Sequence, residues 1–384
     1  MHSPTQQGGT GQDDNDNGRP GAPTVLTGDD LDDLLSGAQL GVLTAASTFA
    51  GALERWVGRL LDQHGPLPLI PAGNTASRLG EHTHACTVGL VGSLAALYEI
   101  PPAGDEPVTA VRQLEHLLGV RMHAIAPLNA AGINALLAVA AACLLELPLI
   151  DVDGQGQVLP LIDQSTFALA GLNPAPLVGV GPWGDVLSVQ SPLRRGEAVE
   201  RAALAGAGGW LLTALYPAPA TRLAAAGIPG SLSRAVAAGA TLRSGRGQLG
   251  PRLARQLGGR MIGRGQITEI IQHAEPGAPR TQPAGPVSIR LAKSGTAGAE
   301  IILEVRNEAV LALVDGAVAG CAPDVICLLD PLRGRTVDLL DLQEGDTVDV
   351  LLLPAHERWH TPDGIGRAGP RAFGLHLPYR RGLR

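Results

Sequence analysis

Between Val111 and Asp153 the chain spells out a helix, a strand, a second helix and a second strand in direct succession. Val111–Leu118 and Gly132–Leu145 carry helical patterning, and Val120–Ala126 and Leu147–Val152 read as strands. The run Ala135–Leu145 is apolar on every side, so a helix there must be buried all round. It stops at Glu146 and Pro148, well short of the roughly 20 residues that a membrane span requires. Strand, crossover helix and strand at this spacing make a right-handed parallel βαβ unit. The fold class expected is therefore an α/β N-terminal domain with parallel βαβ units.

The texture changes toward the C-terminus. Short alternating runs cover Val287–Leu291, Glu300–Val305, Val310–Val314 and Val318–Gly320, and β character continues through Asp324–Leu329 and Thr347–Leu353. Asp315-Gly316, between two of these runs, is a strong two-residue hairpin signal. The expected organisation is a disordered tail over 1–26, an α/β domain over 27–275, a linker over 276–286 and a smaller β-rich C-terminal domain over 287–384. Within the first domain Thr27 opens a helix, and another runs through Ala52–Leu61. Thr83–Val91, Phe167–Leu172 and Leu177–Val180 read as strands, and Gly196–Leu204 and Ser231–Ala238 as helices. Aromatic residues are only 3% of the chain, so both cores must be packed with Leu, Val, Ile and Ala.

A net charge of −7 argues against a general nucleic-acid binder, which needs a basic surface to neutralise phosphates. The four cysteines, Cys86, Cys143, Cys321 and Cys327, form no CxxC pair and sit far apart or in apolar runs. This pattern reads as buried thiols in a reducing, cytoplasmic setting. Residues Met1–Pro23 have no apolar segment of the secretory type. No membrane or nucleic-acid partner is expected, and a homo-oligomer is left open.

In open α/β sheets, ligands gather outside the carboxyl ends of the parallel strands. That rule puts Asn129, Asn134, Asp151 and Asp153 at one crevice. Asp151 and Asp153, two apart on a strand, share a face if the strand continues, and a carboxylate there suits a general base acting on water. An ordinary Asp-Gly turn explains Asp153 equally well. Asn134 can donate to a substrate carbonyl or cap its helix. His82, His84 and Cys86 alternate on a strand and are zinc-ligand types, although no distant ligand is evident. The arginines from Arg243 to Arg264 read as a solvated face, and Gly369–Gly374 as a structural turn.

Three segments resemble the S-methyl thiohydantoin desulfurase family. The first is Asn134–Pro160, with the run Leu-Pro-Leu-Ile-Asp-Val-Asp-Gly-Gln-Gly from Leu147 to Gly156. The second is Thr166–Gly171 followed by Gly196-Glu197 and Glu200-Arg201. The third holds Asn307-Glu308, Asp315-Gly316, Pro323-Asp324, Trp359, Thr361-Pro362, Gly364 and Gly369–Gly374. The resemblance spans roughly Leu31–Tyr379. It implies an α/β domain joined to a β-rich one, and hydrolysis of the carbon–sulfur bond of S-methyl thiohydantoins to a hydantoin and methanethiol.

On that resemblance, Asp151 and Asp153 are expected at the attacking water. Asn134, Asn129, Gly154 and Gly156 are expected around the heterocycle, with no cofactor and no metal. The family's glycine-rich loop is reduced here to Gly51 within Thr48–Arg55. Asn129 stands where the family has a carboxylate, and Gln157 and Leu161 replace an arginine and an acid. Two readings follow: a hydrolase-type catabolic protein for hydantoin- or thiohydantoin-like rings, or a catalytically silent relative that binds a small ligand or a protein. A zinc hydrolase centred on His82 and His84 is a third and weaker option.

Overall fold

The structure is a computed structural model that describes residues 24–43, 47–245, 248–273, 286–296 and 298–380. Two sheets carry it. The first contains β1 (Val25–Leu26), β2 (Leu67–Pro71), β3 (His84–Gly92), β4 (Met122–Pro127), β5 (Leu149–Asp153), β6 (Leu177–Val180), β7 (Val186–Val189), β8 (Trp210–Pro219) and β9 (Ile228–Pro229). Their order is β1-β2-β5-β4-β3-β8-β6-β7, with β9 added to the end of β5. Strands β2, β5, β4 and β3 run parallel. Beyond them each neighbouring pair is antiparallel: β1 with β2, β3 with β8, β8 with β6, and β6 with β7.

Twelve helices accompany the sheets among the described residues: α1 (Leu31–Ala38), α2 (Ser47–His64), α3 (Thr75–Leu79), α4 (Leu94–Glu99), α5 (Glu106–Leu118), α6 (Ile133–Leu145), α7 (Thr166–Leu169), α8 (Leu193–Leu204), α9 (Ala220–Ala226), α10 (Ser231–Arg243), α11 (Leu249–Gln256) and α12 (Pro362–Ala368). As its composition requires, α6 is buried along nearly its whole length. It joins α1, α2 and α5 in one core against the sheet, and α7 and α9 help close a second core on the other face. This is the expected βαβ architecture.

The second sheet contains β10 (Arg260–Gln272), β11 (Val287–Lys293), β12 (Glu300–Arg306), β13 (Glu308–Val314), β14 (Ala317–Cys321), β15 (Val325–Asp330), β16 (Arg335–Thr336) and β17 (Thr347–Leu353). All its neighbours pair antiparallel, in the order β14-β13-β12-β11-β10-β17-β15-β16. The Asp315-Gly316 signal holds: both residues have positive φ, at 49° and 78°, as a tight hairpin of primed type demands.

Some expectations need correcting. Phe167–Leu172 is not a strand. Thr166–Leu169 forms the short helix α7, because Ser165 accepts the amide of Ala168 and caps it. The second sheet begins at Arg260, ahead of the expected linker, because β10 pairs with both β11 and β17. Of that linker only Pro286 lies within the described residues. Val25-Leu26, assigned to the tail, pairs with β2, and the tail's residues 1–23 lie outside the described residues. The basic stretch is not simply a solvated face, since Arg264 forks onto the buried Asp349 at 2.6 and 2.9 Å. All four cysteines are buried and unpaired. Among the described residues, no helix is long and apolar enough to cross a membrane.

The two sheets meet around the loop that follows β5. Gln157 Nε2 donates to Pro323 O at 2.6 Å, and Trp359 Nε1 donates to Gln155 O at 3.0 Å. Leu43 N donates to the buried carboxylate of Glu308. Helix α1 crosses α10 so closely that a Cβ on Gly37 would lie 1.8 Å from Ala235 O, and one on Gly239 would lie 1.8 Å from Asp33 O. Only glycine permits that approach.

Candidate functional site

Strand β4 ends at Pro127, and the chain turns through Asn129 into α6. Here Asn129, Asn134 and Asp153 come together, with Gln155 as a fourth member. Asn134 Nδ2 donates to Asn129 Oδ1 at 3.1 Å, and Asn129 Nδ2 donates to Gln155 Oε1 at 2.7 Å. Asn134 Oδ1 accepts the Leu90 amide of β3 at 2.8 Å. It therefore ties the start of α6 to the sheet, while no side-chain cap closes the helix.

Asp153 holds this turn closed. Its Oδ2 accepts Ala130 N at 2.7 Å, and its Oδ1 accepts Gly156 N at 2.9 Å and Gln155 N at 3.2 Å. Burial pushes its pKa up, opposed by those amides and by the field of Arg234. Gly154 is packed so that a Cβ would meet the Phe167 ring at 2.6 Å, and Gly156 supplies a φ of +75°. The Phe167 ring packs against Gly154 of this turn, and the Gln155 side chain is bonded to Asn129.

Asp151 has a separate occupation. Helix α10 follows Gly230, which has no side chain with which to cap it. Asp151 does so from β5, accepting Leu232 N at 2.8 Å, Ser233 N at 3.3 Å and Ser233 Oγ at 2.6 Å. An acid at a helix N-terminus satisfies unpaired amides and complements the helix dipole. The two carboxylates therefore take different partners, where a shared catalytic face was expected. His84 and Cys86 also lack clean alternation, because the pairing of β3 slips between His84 and Ala85 and again between Ala85 and Thr87. Among the described residues, no group of three His, Cys, Asp or Glu side chains is placed to hold a metal.

An open, charged cleft lies next to this turn. It measures about 370 Å³ and is lined by Asp163, Gln164, Glu197, Arg201, Gly366 and Arg367, with Leu161, Ala198 and Ala372 at its edges. None of the six residues expected from the sequence lines it. Glu197 and Arg201 stand one turn apart on α8. Arg201 Nε donates to Glu197 Oε1 at 2.8 Å, and its Nη2 donates to Pro160 O. Glu197 Oε2 accepts Ile162 N at 3.1 Å. Burial drives the Glu197 carboxyl above its ordinary range, and Arg201 restrains that rise.

Opposite, Arg367 of α12 donates to Asp163 O at 3.2 Å, and its Nη1 lies 3.6 Å from Asp163 Oδ2. Gln164 Nε2 donates to Arg367 O at 2.8 Å. On α8 itself, Glu200 is wholly buried. Its Oε1 accepts Thr213 Oγ1 at 2.8 Å and its Oε2 has no hydrogen-bond partner. Burial raises its pKa to about 7, Thr213 and Arg201 pulling down and Glu197 pushing up.

The turn and the cleft are mechanically joined. Gln155 Nε2 donates to Leu161 O at 3.2 Å and to Gln164 O at 3.0 Å. The chain Asn134–Asn129–Gln155 thus props the cleft wall. The sequence held one local signal for the cleft: a Glu four residues before an Arg on a helix, the favoured order for a pair on one face. The pairing with Arg367, far down the chain, left none.

Two family models cover most of the chain: "S-Me-THD-like, N-terminal domain" over residues 30–191 and "S-Me-THD-like, C-terminal domain" over residues 191–381. No curated protein matches the chain. A crystal structure of a protein from Chromobacterium violaceum, a structural-genomics target, is similar with a TM-score of 0.73 at 20% identity. The match covers 93% of this chain and 99% of that one, and it speaks to the fold alone. By the two model matches, end to end, the chain belongs to the S-Me-THD-like family.

Proposed function

We propose that this protein binds and hydrolyses a hydantoin- or S-methyl-thiohydantoin-like heterocycle in the cleft between α8 and α12, with Glu197 activating water. One observation carries the reading. The three stretches that resemble the desulfurase family converge there: Glu197 and Arg201 from the second, Ala372 from the third with Arg367 between its motifs, and the 161–164 wall propped by Gln155 of the first. A planar ring with carbonyl oxygens suits a cleft that offers two guanidinium groups. Glu197, raised above the ordinary carboxylate range by burial and restrained by Arg201, is the acid at the opening best suited to act as a general base. Water adds at C2 of the S-methyl ring, the carbon–sulfur bond breaks, and the thiolate leaves with a proton as methanethiol.

In this reading Asp151 and Asp153 are positioning residues. Water activation by either would require the α10 cap or the 153–156 turn to open. The purified protein, incubated with S-methyl thiohydantoins, releases methanethiol in a thiol assay. No release at enzyme concentrations near that of substrate defeats the hydrolytic part. The second reading, binding without turnover, is favoured by the arginine partners already engaged with Glu197 and Asp163. Thermal stabilisation by an S-methyl thiohydantoin without methanethiol release would select it.

A further inference from the structure

We infer that the hollow at the carboxyl ends of β2 and β5 is a second binding site, for a small organic carboxylate on a compact apolar body, with Arg358 as its anchor. The hollow measures about 350 Å³, within the range of small-molecule sites. It lies where ligands of open α/β sheets collect. Ala72, Gly73 and Ala76 follow directly from β2, and Pro229 belongs to β9, which pairs with Val152 and Asp153 at the end of β5. Alanine and glycine walls leave room for a ring or a short aliphatic group. Arg358, contributed by the β-rich half, is the one ionisable residue among those lining it.

Arg358 is held for this task. Its Nη2 donates to Ala225 O at 2.7 Å, which fixes the guanidinium at the rim and leaves its other N–H groups to a ligand. Arg234, exposed on the first turn of α10, and Arg358 both act on His356, whose imidazole is held below the usual range first by burial and then by these cations. Glu357 acts on His356 in the opposite direction. Asp151 and Asp153 also feel Arg234, but their carboxylates are turned onto backbone amides. A carboxylate accepts a guanidinium in bidentate fashion, which a neutral amide cannot match.

The site is distinct from the α8 cleft and does not depend on turnover there. The test is calorimetric titration of the full chain with sodium benzoate, with benzamide as the uncharged counterpart. Benzoate binds, and benzamide binds at least about tenfold more weakly, the usual worth of a charge-assisted pair. Arg358→Gln weakens benzoate about tenfold by the same argument. Ala76→Leu, which fills the hollow from a surface helix, weakens it without touching the charge, and Arg201→Gln in the other cleft leaves it unchanged. Circular dichroism establishes that each variant is folded. Absence of benzoate binding to the wild-type chain overturns the inference. So does binding that survives both Arg358→Gln and Ala76→Leu, or that is lost only in Arg201→Gln.

Discussion

The 153–156 turn and the α8 cleft both hold buried carboxylates, yet they use them oppositely. Asp153 faces three backbone amides. Glu197 borders an opening of about 370 Å³ and shares its charge with an arginine. The first arrangement consumes the acceptor capacity of the acid in fixing the chain path from β4 into α6. The second engages one oxygen with Arg201 and the other with the Ile162 amide, at the wall of an opening that a ligand can enter. Residue type and strand-end position are the same kind of evidence in both regions. What separates them is where the hydrogen bonds go.

Substitutions sharpen that contrast. The largest effect is expected on chemistry. Glu197→Gln keeps the size and one acceptor but removes the base, and should cut methanethiol release by about 10²–10⁴-fold. Its melting temperature should move little. A matching loss of stability would turn Glu197 into another structural acid and break the contrast.

Asp153→Ala should show the reverse profile. It strands the buried amides of Ala130 and Gln155 and removes the acceptor of the exposed Gly156, and should cost on the order of 2–4 kcal/mol in a denaturant titration. An Asp153→Ala chain that folds with near wild-type stability would show the turn to be held by something else.

Glu200→Gln probes the acid behind the cleft through pH. The native pKa of about 7 lies above the ordinary 4.5, so the folded state holds its proton more tightly than the unfolded one. Stability from this group is fully present below about 4.5 and declines as pH rises toward 7. Above that the ionised carboxylate costs on the order of 3 kcal/mol. Glutamine keeps the Thr213 bond and carries no charge. The variant should therefore be the more stable one at pH 8, and nearly equal to the wild type at pH 4. Equal stability at both values would mean that Glu200 ionises freely.

Much of the architecture was legible because it is locally encoded. The all-apolar run at Ala135–Leu145 admits only a buried helix, and Asp315-Gly316 admits only a tight turn. The segment at Phe167 misled because a short apolar run fits a strand and a buried helix equally, and the capping serine decides between them. The site was harder for a different reason. Asp151 reads as catalytic until α10 is seen to begin beside it. Glu197 and Arg201 stand in the sequence only as part of a resembling segment, with no role, until Arg367 closes the other side. Both facts are long-range contacts, which strand and helix periods do not carry.

The claim that the α8 cleft receives the ring is tested most directly by calorimetric titration with hydantoin, which has no leaving group and so reports binding alone. The wild-type chain should bind it, and the paired substitution Arg201→Gln with Arg367→Gln should weaken binding by at least about tenfold through loss of two charged donors. Undiminished affinity in a folded double variant would place the ring elsewhere and contradict the account.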